Sequence, residues 1–444
     1  MPAIRAAEID NNRTLYDIVH GCCVTLFACT WLSIHPNICA PSDSDWTSRR
    51  RRLKTMLCAL IVPELVLVWA LRQRTSAKKI AEKQKEKKWT LYHGFFISMG
   101  GFNLFCDGKH IPLSLKRLEQ LEECGWIAWP GISEQEIKDK SKGDFLSKGI
   151  AVSQTVWFVV QCVARFEQGL AVTELELVTM AFVILNVALY WAWWDKPLDV
   201  RCPVDVKIKE GITLPQVEDL FYRDDTKSDP PNSRSRLRLP SFLILKLSTE
   251  KGVQLTYANQ NFFLRKFMTF IHPKGPHGCL HRMIISLARP FSDMLSSTEI
   301  PRGANCVPTF YAPSGDSKSD EYSIALGLGF AILFGLSHCV GIWVNLSFPT
   351  EIEQDIWRVT AIAITAAPLA FQLLGGLVLA LGSPEPERPW SGVFVYGCLV
   401  IWYLILITYI FSRFVLLVLP LISMRALPGS AFDDISWTKF LPHI

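Results

Sequence analysis

The sequence predicts an all-α fold, a multi-pass transmembrane helical bundle of about six to eight spans with hydrophilic cytoplasmic insertions. Three observations predict it. The apolar runs Tyr322–Phe348, Arg358–Leu381 and Val393–Leu421 stand almost back to back, and each can cover the ~30 Å hydrocarbon core, which takes about 20 helical residues. Helices that are apolar all round must be buried or sit in lipid. A second pair of runs, Lys148–Arg165 and Leu175–Trp194, reads as a helical hairpin whose far end carries Trp191, Trp193 and Trp194 as an interfacial aromatic belt. Finally, the chain is 50% hydrophobic with a mean hydropathy of +0.22. Two hydrophilic stretches, 72–147 and 195–321, dilute that mean.

In chain order, residues 1–14 are polar and Leu15 to His35 is long enough to span, with Pro36-Asn37 ending it. The tract Arg49-Arg50-Arg51-Arg52-Leu53-Lys54 follows, and such a cluster beside a span belongs on the cytoplasmic side. Met56–Leu71 is short for a span and carries Pro63-Glu64 at its centre, while Arg72, Arg74, Lys78, Lys79, Lys83, Lys85, Lys87 and Lys88 lie beyond it. A segment broken at Pro63 and re-entering from one side leaves both basic flanks inside; an ordinary short span would break the charge rule. Residues 1–71 thus form an N-terminal unit.

Trp89–Phe105 is aromatic and Gly-rich but too short and polar to span, and 107–147 reads as a small soluble helical unit. Within it Leu113–Cys124 has helical spacing and Ser133 to Glu136 resembles a capping box. The segment 72–147 is therefore basic and largely helical. The hairpin occupies 148–194, with Thr173 to Glu176 as a second capping box. The hydrophilic region 195–321 contains a Pro- and Ser-rich stretch, Asp229 to Arg236. The last spans fill 322–421, with Glu351, Glu353 and Asp355 between the first two, and 422–444 is a tail. With the basic loops inside, both termini lie outside. Gly327-Leu328-Gly329 inside a span marks close helix packing rather than a nucleotide fingerprint.

A net charge of +5 is small for 444 residues and argues against nucleic-acid binding. The positive charge sits near membrane edges, where it sets orientation or meets anionic lipid. The 13 Cys contain no CxxC pair, and Cys22, Cys23, Cys29, Cys162, Cys339 and Cys398 lie inside apolar runs as small hydrophobes. No basic n-region precedes an apolar core, as a cleaved signal peptide requires. Nothing in the sequence asks for a cofactor.

Candidate chemistry is sparse. His272, His277, Cys279 and His281 gather zinc-ligating groups within ten residues, but their spacing matches no zinc module, and a solvated loop is the default. Glu64, Glu174, Glu176 and Asp195 are acids in or beside apolar segments, where carboxylates mark function by default. For Glu174 and Glu176 a helix N-terminus is reason enough. Asp195 has Lys196 or Arg201 as a surface partner, and Asp199 can pair locally with Arg201. Glu64 beside Pro63 is the intramembrane candidate, as a proton carrier, cation ligand or general acid, with pairing to Arg72 or another basic neighbour at the headgroup level as the alternative. His93 and His338 read as hydrogen-bonded helix residues. Asn12-Arg13-Thr14 and Asn345-Leu346-Ser347 fit the glycosylation pattern.

In Leu15–Pro36, Arg52–Leu71, Trp89–Phe102, Glu136–Asp144, Trp193–Pro203 and Ser423–Ile444 the chain resembles a group of fungal multi-pass membrane proteins of unassigned function. The resemblance implies a source and a topology in an endomembrane or plasma membrane, and brings no catalytic residues. The leading expectation is a non-catalytic protein that transports or hands on a small apolar or ionic compound, in a fungal secondary-metabolite setting. A membrane-embedded enzyme acting on a lipid or isoprenoid, with Glu64 or Asp195 as acid and Trp faces for a cation, is the alternative. A third reading has 204–321 recruit a cytoplasmic protein partner. Besides any such ligand or protein, the partner is the lipid bilayer.

Overall fold

The structure is a computed structural model that describes residues 12–141, 144–222, 289–314, 317–343, 346, 348–380 and 389–437. Six helices in it are long and apolar enough to cross a membrane, compatible with an integral multi-pass protein. The first, α1 (Leu15–Phe27), opens at a Thr14–Asp17 capping box and runs on as a π-helical turn, Ala28–Leu32. Helix α2 (Asp45–Ile61) begins at the Ser44 cap, and α3 (Pro63–Lys83) begins at Pro63. The two are bent by 117° at Val62. Pro63 has no N–H to continue the ladder of α2, yet its fixed φ suits the first position of a new helix, so one helix stops where the next starts.

The apolar hairpin is α7 (Asp144–Glu167) and α8 (Glu174–Trp193), the latter opening on the expected Thr173–Glu176 capping box. The last three helices are longer than their apolar cores and are named here α10 (Ser317–Trp343), α11 (Glu351–Ala380) and α12 (Pro389–Ser423). Glu351, Glu353 and Asp355 belong to the first turns of α11 rather than to a link, where acids complement the helix dipole. The bundle core gathers Val66 and Trp69 from α3 with Phe182, Phe334 and Trp357 from α8, α10 and α11. At Gly327 a Cβ would stand 2.1 Å from Val68 Cγ2, so α10 meets α3 closely, whereas at Gly329 nothing lies within 4 Å.

Residues 107–147 are not the purely helical unit their charge pattern suggests. After α4 (Leu91–Ser98) come strands β1 (Phe102–Cys106) and β2 (Lys109–Pro112). Asp107 and Gly108 both adopt positive φ between them, the two-residue turn that Asp-Gly favours in hairpins. Beyond α5 (Leu115–Glu123) and α6 (Glu134–Asp139), opened by the expected Ser133–Glu136 box, the chain crosses α7 and α8 before returning as β3 (Val204–Lys207). The sheet order is β2-β1-β3, with β1 antiparallel to β2 and parallel to β3. A parallel pair needs a long crossover, and here the apolar hairpin α7–α8 is part of it. The start of the hydrophilic 195–321 region therefore folds with the 72–147 segment. Phe96, Phe102, Leu104, Leu118 and Leu121 share one core with Val206 and Val217, the last from α9 (Leu214–Tyr222). Each fully buried side chain of this size contributes about 1.5–3 kcal/mol. The Pro- and Ser-rich stretch near 229–236 lies outside the described residues.

A candidate site inside the bundle

Polar contacts sort the bundle into two ends. At one end Arg52 holds Asp199 (2.8 Å) and the Trp31 carbonyl, Arg74 holds Asp195 (3.2 Å) and the Trp191 carbonyl, and Lys148 donates to the Trp194 carbonyl. Arg52 of α2 and Arg74 of α3 therefore both meet the 191–199 segment. At the other end the Arg13 N–H donates to the Phe432 carbonyl, Arg13 pairs with Glu176, and Arg165 donates to the carbonyls of Ser430, Ala431 and Asp433. The two described chain ends thus meet, and Glu353 pairs with Arg425 on the same side (2.7 Å).

Between these ends lies a buried polar cluster. Glu64, in the first turn of α3, accepts from Arg413 Nη2 on α12 at 2.5 Å through Oε2 and from the Tyr409 hydroxyl through Oε1. Arg413 also donates to Tyr409 Oη through Nε (3.0 Å) and Nη2 (2.7 Å), and its guanidinium stacks 3.8 Å from the Phe334 ring centroid. All three polar side chains are buried. The helix break creates the place: Pro63 has no N–H, the Val62 carbonyl accepts from Leu65 and Val66 at the new helix start, and α10 closes in at Gly327, beside the Glu64 carbonyl. Depth follows from helix rise. Arg72, which pairs with Asp320 at the foot of α10, is about 12 Å along α3 from Glu64, and Ser423 is about 15 Å along α12 from Arg413. In a bilayer crossed by these helices the pair sits near mid-depth.

Of the basic partners expected for Glu64, Arg72 is not the one it meets; Arg413 from α12 takes that place. Arg72 is buried and spends its donors on Asp320 and the Met294 carbonyl. Asp195 takes Arg74 rather than Lys196 or Arg201, and Asp199 takes Arg52 rather than Arg201, because the fold brings α2 and α3 to the end of α8. Glu176 caps its helix as expected and gains Arg13, while Glu174 accepts from Ser423 Oγ at 3.2 Å. His93 completes the cap of α4 through Thr90 and reaches the Ile132 carbonyl (2.9 Å); His338 is bonded to the Phe334 carbonyl one turn back (2.8 Å). Asn12 is exposed. His272, His277, Cys279, His281 and Asn345 lie outside the described residues, and among the described residues no group of three or more His, Cys, Asp or Glu is placed to hold a metal ion.

Sequence reasoning missed Arg413, although it is the single charged residue of Val393–Leu421; a lone arginine in an apolar run is itself the signal. It also missed Lys196. This side chain, beyond the end of α8, is fully buried, and its ammonium donates to the His35 carbonyl, Asn37 Oδ1 (3.2 Å) and Gln73 Oε1 (2.9 Å). Gln73 in turn accepts from Trp193 Nε1 and donates to Asn37 and to the Tyr311 carbonyl. The Trp69 and Trp193 rings lie 5.0 and 4.9 Å from Nζ. Burial pushes the Lys196 ammonium well below the usual lysine range, while three oxygen acceptors and two indole faces favour the charged form. With three N–H groups and three acceptors, Lys196 fastens the 35–37 loop, α3 and the 311 loop together.

A family profile described as "Family of unknown function (DUF8562)" matches residues 2–217, just under half of the chain. No curated protein and no solved structure matches. The matched range takes in Glu64, Lys196 and all three strands and stops before the helix that carries Arg413, so the chain is similar, over its first half, to a family of unknown function.

Proposed function

We propose that the protein is a non-catalytic membrane protein that carries a small ionic compound through the bilayer, with the Glu64–Arg413 pair as the element that opens and closes. One observation carries this reading: the pair is buried inside the bundle, in the first turn of the helix that follows a sharp break. A buried ion pair adds little net stability over an apolar replacement, so its presence calls for another role. Ionisable groups at membrane depth mark ion and substrate pathways, and transporters build such sites on discontinuous helices. A proton or small cation competes with Arg413 for Glu64, and its arrival frees α12 from α3.

The enzyme alternative requires an acid with a free carboxyl oxygen. Both oxygens of Glu64 are engaged, by Arg413 and Tyr409, while Asp195 is held by Arg74 through Oδ2 alone, at the end of the bundle. Recruitment of a cytoplasmic partner through 204–321 has less support, since 204–207 and 214–222 are used in the protein's own sheet and core. The fungal secondary-metabolite setting rests on the sequence resemblance alone.

The test needs no identified substrate. Purified full-length protein in proteoliposomes on a solid-supported membrane is given a pH step, and the displaced charge is recorded. Wild-type protein should give a transient, and the neutral pair Glu64→Gln with Arg413→Gln should give none at equal reconstitution and comparable melting temperature. Equal signals from both, or none from the wild type, would sink the reading.

A further inference from the structure

The four-arginine tract is divided by the helix that contains it. On the inner side of α2, Arg51 pairs with Asp43 (3.1 Å) and Arg52 with Asp199 (2.8 Å), and Thr55, Cys58 and Ala59 are buried. Trp46, Arg49, Arg50, Leu53, Lys54 and Leu57 are all exposed, Trp46 by 72%. Their spacing of three, four, seven, eight and eleven residues from Trp46 places them on one face. Among the described residues no hydrogen bond or ion pair holds Arg49, Arg50 or Lys54; Lys54 acts at longer range on Cys58 and on Asp293, which pairs with Arg289.

The level of this face is marked by its neighbours. Arg52 lies 4.9 Å from the Trp31 ring, Arg74 4.8 Å from Trp191 and Lys148 5.5 Å from Trp194, all at the same end of apolar helices. Indole rings beside cations at helix ends sit at the membrane–water boundary. Arg49, Arg50 and Lys54 stand within about one turn of Arg52, since a turn is 5.4 Å of rise, and so share that level.

We propose that this face of α2 is a binding site for anionic phospholipid headgroups. The basic side chains meet the phosphate and any further negative charge, while Trp46, Leu53 and Leu57 lie against the upper acyl chains. A protein partner would not explain why apolar and basic side chains alternate along a face at the headgroup level. The site is independent of the Glu64–Arg413 reading, because it lies on the outer face of a different helix.

Purified full-length protein in neutral detergent is titrated with short-chain phosphatidylserine, short-chain phosphatidylcholine and the tail-less headgroup glycerophosphoserine, following both binding and melting temperature. Phosphatidylserine should bind and raise the melting temperature of the wild type, and phosphatidylcholine should not. Arg49→Gln with Arg50→Gln and Lys54→Gln should weaken phosphatidylserine binding about a hundredfold, three charges at the surface being removed. Arg49→Lys with Arg50→Lys should retain it, which separates loss of charge from loss of fold. Unchanged phosphatidylserine binding by the triple Gln variant, or equal response to the two lipids, would overturn the proposal. Glycerophosphoserine binding as tightly as the lipid would overturn it too, in favour of a soluble anion.

Discussion

Arg413 reaches Glu64 across 349 positions of sequence, Nη2 lying 2.5 Å from Oε2 with both side chains buried. This contact ties the broken segment near the N-terminus to the last apolar helix. It also alters what a substitution at Glu64 does. A glutamate held only by freed backbone could become Gln with normal abundance, but a glutamate that neutralises a buried arginine cannot.

Glu64→Gln alone should therefore destabilise the protein by about 3–5 kcal/mol, because Arg413 is left charged, buried and unmatched. Arg413→Gln should cost a similar amount through Glu64. The double neutral variant should cost much less than the sum of the two, a coupling that thermal unfolding in detergent measures directly. Additive losses would mean that the two side chains do not act on each other.

Gly327 and Gly329 make a matched pair of substitutions. Gly327→Ala should destabilise the α3–α10 contact by about 1–3 kcal/mol, the range for overpacking, since its Cβ would lie 2.1 Å from Val68 Cγ2. Gly329→Ala meets open space and should raise stability slightly through helix propensity. Equal melting temperatures for the two variants would show that α10 does not approach α3 at Gly327.

Lys196 gives a pH signature. Burial depresses its folded-state proton affinity, so the unfolded chain holds the proton up to a higher pH. The folded state is disfavoured below the folded value and gains stability as pH rises from there toward the usual lysine value near 10.4. Between pH 8 and 10 the melting temperature of the wild type should thus gain relative to that of Lys196→Met. Parallel pH profiles would remove the assignment.

Both flanks of the α2–α3 pair should face the same compartment. Single cysteines at Ser48 and Glu86, in a background without the native exposed cysteines, should respond alike to an impermeant maleimide in sealed vesicles. A cysteine at Ser430 should respond oppositely. Different labelling at Ser48 and Glu86 would mean that the bent pair crosses the bilayer.

The helical bundle was legible because its signals are local. Runs of apolar residues, the Thr173 and Ser133 capping boxes and the break at Pro63 each act within a few residues, and each appears where the sequence placed it. The β1–β2 hairpin has a local mark too, the Asp107-Gly108 turn, but the strands beside it carry no clear alternation, and the helical spacing of the segment that follows outweighs it. What no local pattern carries is pairing across the chain. That β3 joins β1 past the α7–α8 hairpin depends on the tertiary path of the connection. That Glu64 meets Arg413 rather than Arg72, and that Lys196 finds three oxygens rather than Asp195, depends on which helices lie side by side. The sequence by itself determined that ionisable groups enter the apolar interior, since the cost of burial marks them one residue at a time. Only the tertiary structure decided their partners, because an ion pair is set by a distance of a few ångströms between groups that the chain separates by hundreds of residues.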